Sequence, residues 1–333
     1  MATQIALKGF LASWFRLDWV EFKLALGADM TGFKRIALVA NIQLPEIVDT
    51  LKRLASFLEQ ADCAVSLESN TAKLMGNDKL PTFQCSDLNL ELDLVIVVGG
   101  DGSMLSSSRS MVDYGVPLLG VNRGRLGFLT DILPDDMEEE VGRVLSGEYI
   151  ISDRFLLEAA LYRNGKDGQE MKKVSCGIAL NDVVLHPGKS VRMMEFDLYI
   201  DNQFVYSQRS DGLIVSTPTG STAYALSGGG PIMHPNLDAI VLVPMNPHTL
   251  SSRPLAVGGN SEIEIRVASR DELDPMVTCD GQNDLQPEPG DVIRIHKKAQ
   301  PLRLIHPVEH NFYETCRTKL GWGSRQDSSN RNR

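Results

Sequence analysis

The chain is short of several features that would have named a function at once. Its five cysteines (Cys63, Cys85, Cys176, Cys279, Cys316) are odd in number and scattered, with no Cys-x-x-Cys pair. That pattern excludes a disulfide framework or a clustered-cysteine zinc site and fits thiols kept reduced in a cytosol. No apolar run approaches the roughly 20 residues of a membrane span. The first 29 residues lack the basic start, apolar centre and small-residue cleavage site of a secretory signal, since Lys8, Arg16, Asp18, Glu21 and Lys23 interrupt the apolar positions. They read instead as an amphipathic helical extension over 1–31, and the chain is expected in the cytoplasm. Neither G-x-G-x-x-G nor G-x-x-x-x-G-K-[ST] occurs, so a dehydrogenase-type dinucleotide site and a Walker-type phosphate loop both lose support. The six histidines (His186, His234, His248, His296, His306, His310) show no metal-ligand spacing and are each expected to be structural, with no metal site. Positive charge is also scarce: 33 Lys+Arg against 43 Asp+Glu leaves a net charge of −10. That balance argues against nucleic acid or an anionic membrane as the main partner, while leaving room for a local basic site.

What is present is an ordinary globular composition, 43% hydrophobic and 23% charged, over 333 residues, a length that suggests two domains. Strands are predicted at Arg35–Ala40, Ala64–Leu67, Leu94–Val98 and Pro117–Val121, alternating with helices over Ile47–Gln60, Met104–Tyr114 and Met137–Leu145. This alternation indicates a parallel sheet with crossover helices, an α/β domain over 32–150. Near 151 the texture changes. Phe155–Tyr162, Cys176–Leu185, Phe196–Ile200, Leu213–Ser216, Ile263–Val267 and Val292–His296 are strand-like, with turn signals such as 164–168 between them, and predict an all-β second domain over 151–300. Residues 301–320 are mixed again and are expected to pack back on the first domain; the polar tail 321–333 is expected to be disordered.

Three motifs carry chemistry. The apolar run Leu94–Val98 leads straight into Gly99-Gly100-Asp101-Gly102, which places a carboxylate among glycines at the carboxyl end of a buried strand, where ligand crevices of open α/β sheets lie. A tight turn with Asp101 bonding its own backbone explains the motif equally well. Downstream of Arg209-Ser210-Asp211-Gly212, the run Thr217-Pro218-Thr219-Gly220-Ser221-Thr222-Ala223-Tyr224-Ala225-Leu226-Ser227-Gly228-Gly229-Gly230-Pro231 is dense in hydroxyls and glycines. Such groups suit phosphates and ribose hydroxyls, and Tyr224 adds a ring able to line a base pocket. Asn181-Asp182 interrupts an apolar strand, which leaves a polar side chain facing inward unless the chain turns there. Asn122–Phe128 reads as a strand-end loop, Asp280-Gly281-Gln282 as a turn, Arg192 and Arg209 as phosphate clamps or solvated charges, and Ser106-Ser107-Ser108 as a surface face.

Together and in this order, Gly99–Leu105, Asn122–Asp131, Asn181–Gly188, Gln208–Pro231 and Leu242–Pro254 closely resemble the bacterial NAD kinases, over roughly residues 32–322. Gly-Gly-Asp-Gly alone is shared with phosphofructokinases and lipid kinases; the Thr-Pro-Thr-Gly-Ser-Thr-Ala-Tyr run is far more specific. The resemblance implies an α/β domain joined to a β-sandwich, and transfer of the ATP γ-phosphoryl group to the 2′-hydroxyl of the adenosine ribose of NAD, with Mg²⁺ or another divalent metal. It implies that Asp101 is the general base, with Gly102 beside it, and that Asn181 and Asp182 hold the ribose hydroxyls and the neighbouring part of the dinucleotide. Arg192, Arg209 and Asp211 would line the phosphate and nicotinamide side. Thr222, Ala223, Tyr224, Ala225, Leu226 and Ser227 would surround adenine and nicotinamide, and Gln282 would add a further NAD contact. Arg209 points by the same resemblance to the NAD-restricted, ATP-using type. A homodimer or homotetramer is implied. Met30 resembles a usual family start, which leaves 1–29 as either upstream of the true initiator or an accessory helix. The rivals are a kinase for a sugar phosphate or lipid, and a catalytically silent NAD(P)-binding sensor.

Overall fold

A computed structural model describes residues 32–322 except 41–44, 78, 86–90, 125–126, 164–169, 191, 269–273 and 289. The expected helix at 1–31, the turn at 164–168 and the tail beyond Trp322 lie outside the described residues.

The first layer is a seven-stranded sheet. Its strands are β1 (Arg35–Val39), β2 (Ala64–Glu68), β3 (Thr82–Phe83), β4 (Leu94–Val98), β5 (Leu118–Val121) and β6 (Ile150–Arg154), joined by a late strand at Leu302–His306. The spatial order is β3-β2-β1-β4-β5-Leu302–His306-β6, parallel throughout except for the β6 edge. Every residue of β4 is buried, because helices cover both faces of the sheet and leave no strand face for polar residues. On one face, Ile47, Leu51, Leu54 and Leu58 of the Pro45–Gln60 helix fall on a single stripe. They pack with Met137, Val141 and Val144 of the Met137–Leu145 helix. Each such buried side chain contributes roughly 1.5–3 kcal/mol. The Asp101–Met111 helix covers the other face through Met104, Leu105 and Met111.

The second domain packs two antiparallel sheets. One comprises β7 (Leu157–Arg163), β8 (Lys172–Ala179), β10 (Met194–Ile200), β11 (Gln203–Ser210), β15 (Ile263–Val267) and β18 (Val292–Lys297). The other comprises β9 (Asp182–His186), β12 (Gly212–Ser216), β13 (Ala239–Met245), β14 (Leu255–Gly258), β16 (Met276–Cys279) and β17 (Asn283–Leu285). Strand alternation explains the interior: Val183, Leu185, Leu213, Val215, Ile240 and Leu242 point between the sheets. Their neighbours Val184, Ile214, Val241 and Val243 point the other way and are covered by Ala225 and Met233 from the segment after β12. β12 and β13 are therefore buried on both faces and read as unbroken apolar runs. The late strand Leu302–His306 is β19.

Three expectations change. The segment Cys176–Leu185 is not one strand: β8 ends at Ala179 in one sheet and β9 begins at Asp182 in the other, so Leu180 and Asn181 make the crossover. β6 still pairs with β19 in the first sheet, so the chain leaves that sheet at Arg154, four residues beyond the expected boundary at 150. The helix expected over Met104–Tyr114 starts at Asp101 and ends at Met111. Where the domains meet, Met104, Leu105 and Leu129 from the first share an apolar cluster with Leu156 and Leu180 from the second. Among the described residues no helix is long and apolar enough to cross a membrane.

Candidate active site

Asp101 occupies the first turn of its helix, where the partial positive charge of the helix start favours a carboxylate. Its Oδ2 accepts from the Phe128 amide and its Oδ1 from the Leu129 amide, both at 3.0 Å. Neither donor is in its own turn, so the tight-turn explanation of Gly-Gly-Asp-Gly does not describe this residue. The cradle around it is tightly built. A Cβ on Gly127 would lie 2.2 Å from Asp101 Oδ1 and 2.4 Å from Thr130 Oγ1, so only glycine allows this approach. The Asn122 side chain donates to Thr130 Oγ1 at 2.7 Å, and Gly127 donates its amide to the Thr130 carbonyl at 3.0 Å. Phe128 is half-buried and presents its backbone rather than its ring to the carboxylate.

Across the domain junction, the crossover at Asn181 opens a pocket of 460 Å³ on the outer face of the second sandwich sheet. It is lined by Asn181, Asp182, His186, Ala223, Tyr224 and Asp280, among others. Asp280 opens the turn Asp280-Gly281-Gln282. Its φ is +53°, a conformation that a residue other than Gly seldom adopts. Its fully buried carboxylate accepts the amides of Leu180, Asn181 and Asp182 at 3.1, 2.7 and 3.3 Å. Arg109 Nη1 completes the arrangement at 2.6 Å from Asp280 Oδ2, and Arg109 Nη2 donates to Gln282. Arg109 stands eight residues along the helix from Asp101, about 12 Å. One buried ion pair thus ties the Asp101 helix to the pocket wall.

Burial and the charge of Asp280 push the Asp182 carboxyl up to about 7. Between the unfolded value of 3.8 and about 7, the folded chain keeps a proton that the unfolded chain has lost. This group's contribution to stability is therefore full in acid and is lost as pH rises through 7. Asp182→Asn, which cannot ionise, is expected to gain in Tm over the parent protein on going from about pH 4 to about pH 7. Equal Tm changes in the two proteins would remove Asp182 as the source.

Hydroxyls of the run 217–222 bond within the protein. Thr217 Oγ1 donates to the Leu180 carbonyl at 2.6 Å and accepts from Gly220 at 3.1 Å. Ser221 Oγ donates to the Pro218 carbonyl at 2.7 Å and accepts from Met233 at 2.9 Å. Half-buried Thr222 donates to the Thr219 carbonyl at 3.4 Å. These hydroxyls fold the loop onto the crossover and so set where Ala223 and Tyr224 stand. Ala225 faces the core beneath, Leu226 is half-buried and Ser227 is exposed. A Cβ on Gly220 would fall 2.1 Å from the Asn181 carbonyl oxygen. Gly220→Ala is expected to displace Asn181 and to lower unfolding stability by about 1–3 kcal/mol, read as a urea midpoint.

Arg192 and Arg209 are exposed and Asp211 accepts from Asn246 at 2.9 Å; none of the three lines this pocket. Gln282 stands beside it, bonded to Arg109, and Gly102 is exposed on the Asp101 helix. A second cleft, of 720 Å³, lies at the carboxyl ends of β1 and β2. Ser106, Ser107 and Ser110 of the Asp101 helix line it, with Ser69, Lys73 and Tyr114. Ser107 and Ser108 are buried, so the triple-serine run is not the surface face expected of it. Of the histidines, His186 lines the smaller pocket, and His306 and His310 converge on Asp131.

Comparison with known proteins points the same way. The family model for the ATP-NAD kinase N-terminal domain matches residues 36–149, and that for the ATP-NAD kinase C-terminal domain matches 180–307. The chain is 56% identical over 295 residues to the NAD kinase of Teredinibacter turnerae, covering 89% of this chain and 99% of that one. It is 55% identical over 296 residues to the NAD kinase of Azotobacter vinelandii, covering 89% and 98%. Yeast NADH kinase complexed with NADH matches at a TM-score of 0.77 and 26% identity over 89% of each chain. An NAD kinase from Archaeoglobus fulgidus in complex with ATP matches at a TM-score of 0.65 and 25% identity, over 86% of this chain and 98% of that one.

Proposed function

The chain belongs to the ATP-NAD kinase family, and on that premise we propose how its own residues carry out the reaction. It is an NAD kinase, transferring the γ-phosphoryl group of ATP to the 2′-hydroxyl of the adenosine ribose of NAD to make NADP. The observation that carries the residue assignment is the placement of Asp101, anchored by two loop amides and coupled through its own helix to the Asn181–Asp182 pocket.

Asp101 is the group that meets the 2′-hydroxyl. A carboxylate offers about four lone-pair sites, so the Phe128 and Leu129 amides leave capacity for the substrate hydroxyl. Phosphoryl transfer has a loose transition state, and most of the catalysis comes from position and charge. Asp101 therefore orients the hydroxyl and takes its proton late. Asn181, Asp182 and Tyr224 hold the adenosine end of NAD in the 460 Å³ pocket. Asp182, titrating near neutrality, can donate to or accept from the ligand. Arg192, Arg209 and Asp211 contact NAD where the dinucleotide extends past that pocket. ATP takes the larger cleft at the strand ends, where Lys73 is the cation among the described lining residues.

The donors around Asp101 are oxygens, of the carboxylate, the Asn122 amide and the Thr130 hydroxyl. That set fits a hard ion such as Mg²⁺, which Asp101 would help to hold beside ATP. When bound, the ion neutralises phosphate charge. Reduced cysteines support a cytoplasmic location. Exposed Val174 on β8 and Phe204 on β11, the edge strands of one sandwich sheet, support a homodimer or homotetramer. The reading is tested by NADP formation with ATP against polyphosphate and with NAD against NADH. NADP from NAD and MgATP is expected, and its absence sinks the assignment.

A further inference from the structure

His306 ends β19 and His310 follows four residues later, with three residues between them, a spacing that suits metal ligation although none was expected of the histidines. The fold brings a third donor to them from 175 residues earlier in the chain. His306 Nδ1 meets Asp131 Oδ2, His310 Nδ1 lies 3.1 Å from the same oxygen, and the two imidazoles stack at 4.1 Å. All three donor atoms lie within 4.8 Å of one another. A tetrahedral ion with bonds of about 2.0–2.1 Å separates its ligand atoms by about 3.3 Å, close to the His310 spacing. The His306 contact has only to open.

We propose that Asp131, His306 and His310 bind a borderline divalent transition metal, zinc by preference, at a site separate from the phosphoryl-transfer centre. Two imidazoles and one carboxylate select zinc, cobalt or nickel over the oxygen-seeking magnesium. His306 is only 1% exposed, whereas Asp131 and His310 open onto a cleft of 490 Å³ that gives an ion access. Asp136, Glu140, Glu309 and Glu314 line that cleft. Its one lining cation among the described residues, Arg143, is already paired with Glu140, Glu148 and Glu309. Buried Arg154 acts on His306 as an opposing charge, but it is bonded to Ser152 and Thr219. Asp131 follows Leu129 by two residues, so an ion here pins the loop whose amides hold Asp101.

The test uses the full chain, stripped with a chelator and titrated with Co²⁺ in the absence of ATP and NAD. One equivalent per chain with the strong visible bands of tetrahedral nitrogen–oxygen ligation is expected. Co²⁺ affinity should fall at least tenfold in His310→Phe, which keeps a stacking ring, and in His310→Gln. Zn²⁺ should raise Tm in the parent protein alone. The absence of a tetrahedral spectrum, unchanged affinity in both variants, or thiolate charge-transfer bands would each overturn the site.

Discussion

Asp101→Asn is expected to lower kcat by about a thousandfold, within the range for loss of a positioned acid–base group, with the Kd for NAD little changed. The substitution is nearly isosteric, yet it does two things. It removes the carboxylate proposed to orient and deprotonate the 2′-hydroxyl. It also turns an NH2 group toward the Phe128 or Leu129 amide, each of which donates to Asp101 at 3.0 Å. One buried donor then loses its acceptor, at a cost of about 1–3 kcal/mol to the loop. The two effects separate by measurement: single-turnover rates and NAD calorimetry report the chemistry, and a urea melt reports the loop. Turnover near that of the parent protein would remove Asp101 from the proposed role.

Arg109→Met is expected to cost about 3–5 kcal/mol of stability, because it strands a buried carboxylate without its partner. Asp280 is fully buried and Arg109 is 9% exposed, so solvent cannot take over the lost pairing. Asp280 also carries the amides of Leu180, Asn181 and Asp182. Its displacement should therefore raise KM for NAD more than it lowers kcat. Asp280→Asn in the Arg109→Met background should recover part of the loss, since no charge is then left buried. A double-mutant cycle measures this coupling. Strict additivity of the two single changes would show that the pair does not tie the Asp101 helix to the pocket.

The first sheet was readable because its strands are short apolar runs and its helices carry single apolar stripes, both local signals. Leu94–Val98 was predicted with the bounds it has in the structure, as was the Met137–Leu145 helix. The segment around Asn181 was misread for an equally physical reason. The residues flanking the Asn181-Asp182 pair are apolar whether the chain continues in one sheet or crosses to another, so periodicity alone cannot separate the two. Asp280 was invisible in the same way: Asp-Gly reads as a turn, and its partner Arg109 is 171 residues away. The hydroxyls of Thr217 and Ser221 had the right composition for ligand binding but are used by the Leu180 and Pro218 carbonyls.

Local pattern was thus enough for the class of both domains, the strand-end carboxylate at Asp101 and, through the run 217–231, the family. Those features rest on neighbouring residues, and neighbours in sequence are neighbours in space. Which distant side chains meet was decided by long-range packing: the Phe128 and Leu129 amides on Asp101, the Arg109–Asp280 pair and the meeting of Asp131 with His306 and His310. Each joins segments whose proximity depends on the sheet order and on the shared core between the domains, and no periodicity along the chain encodes that.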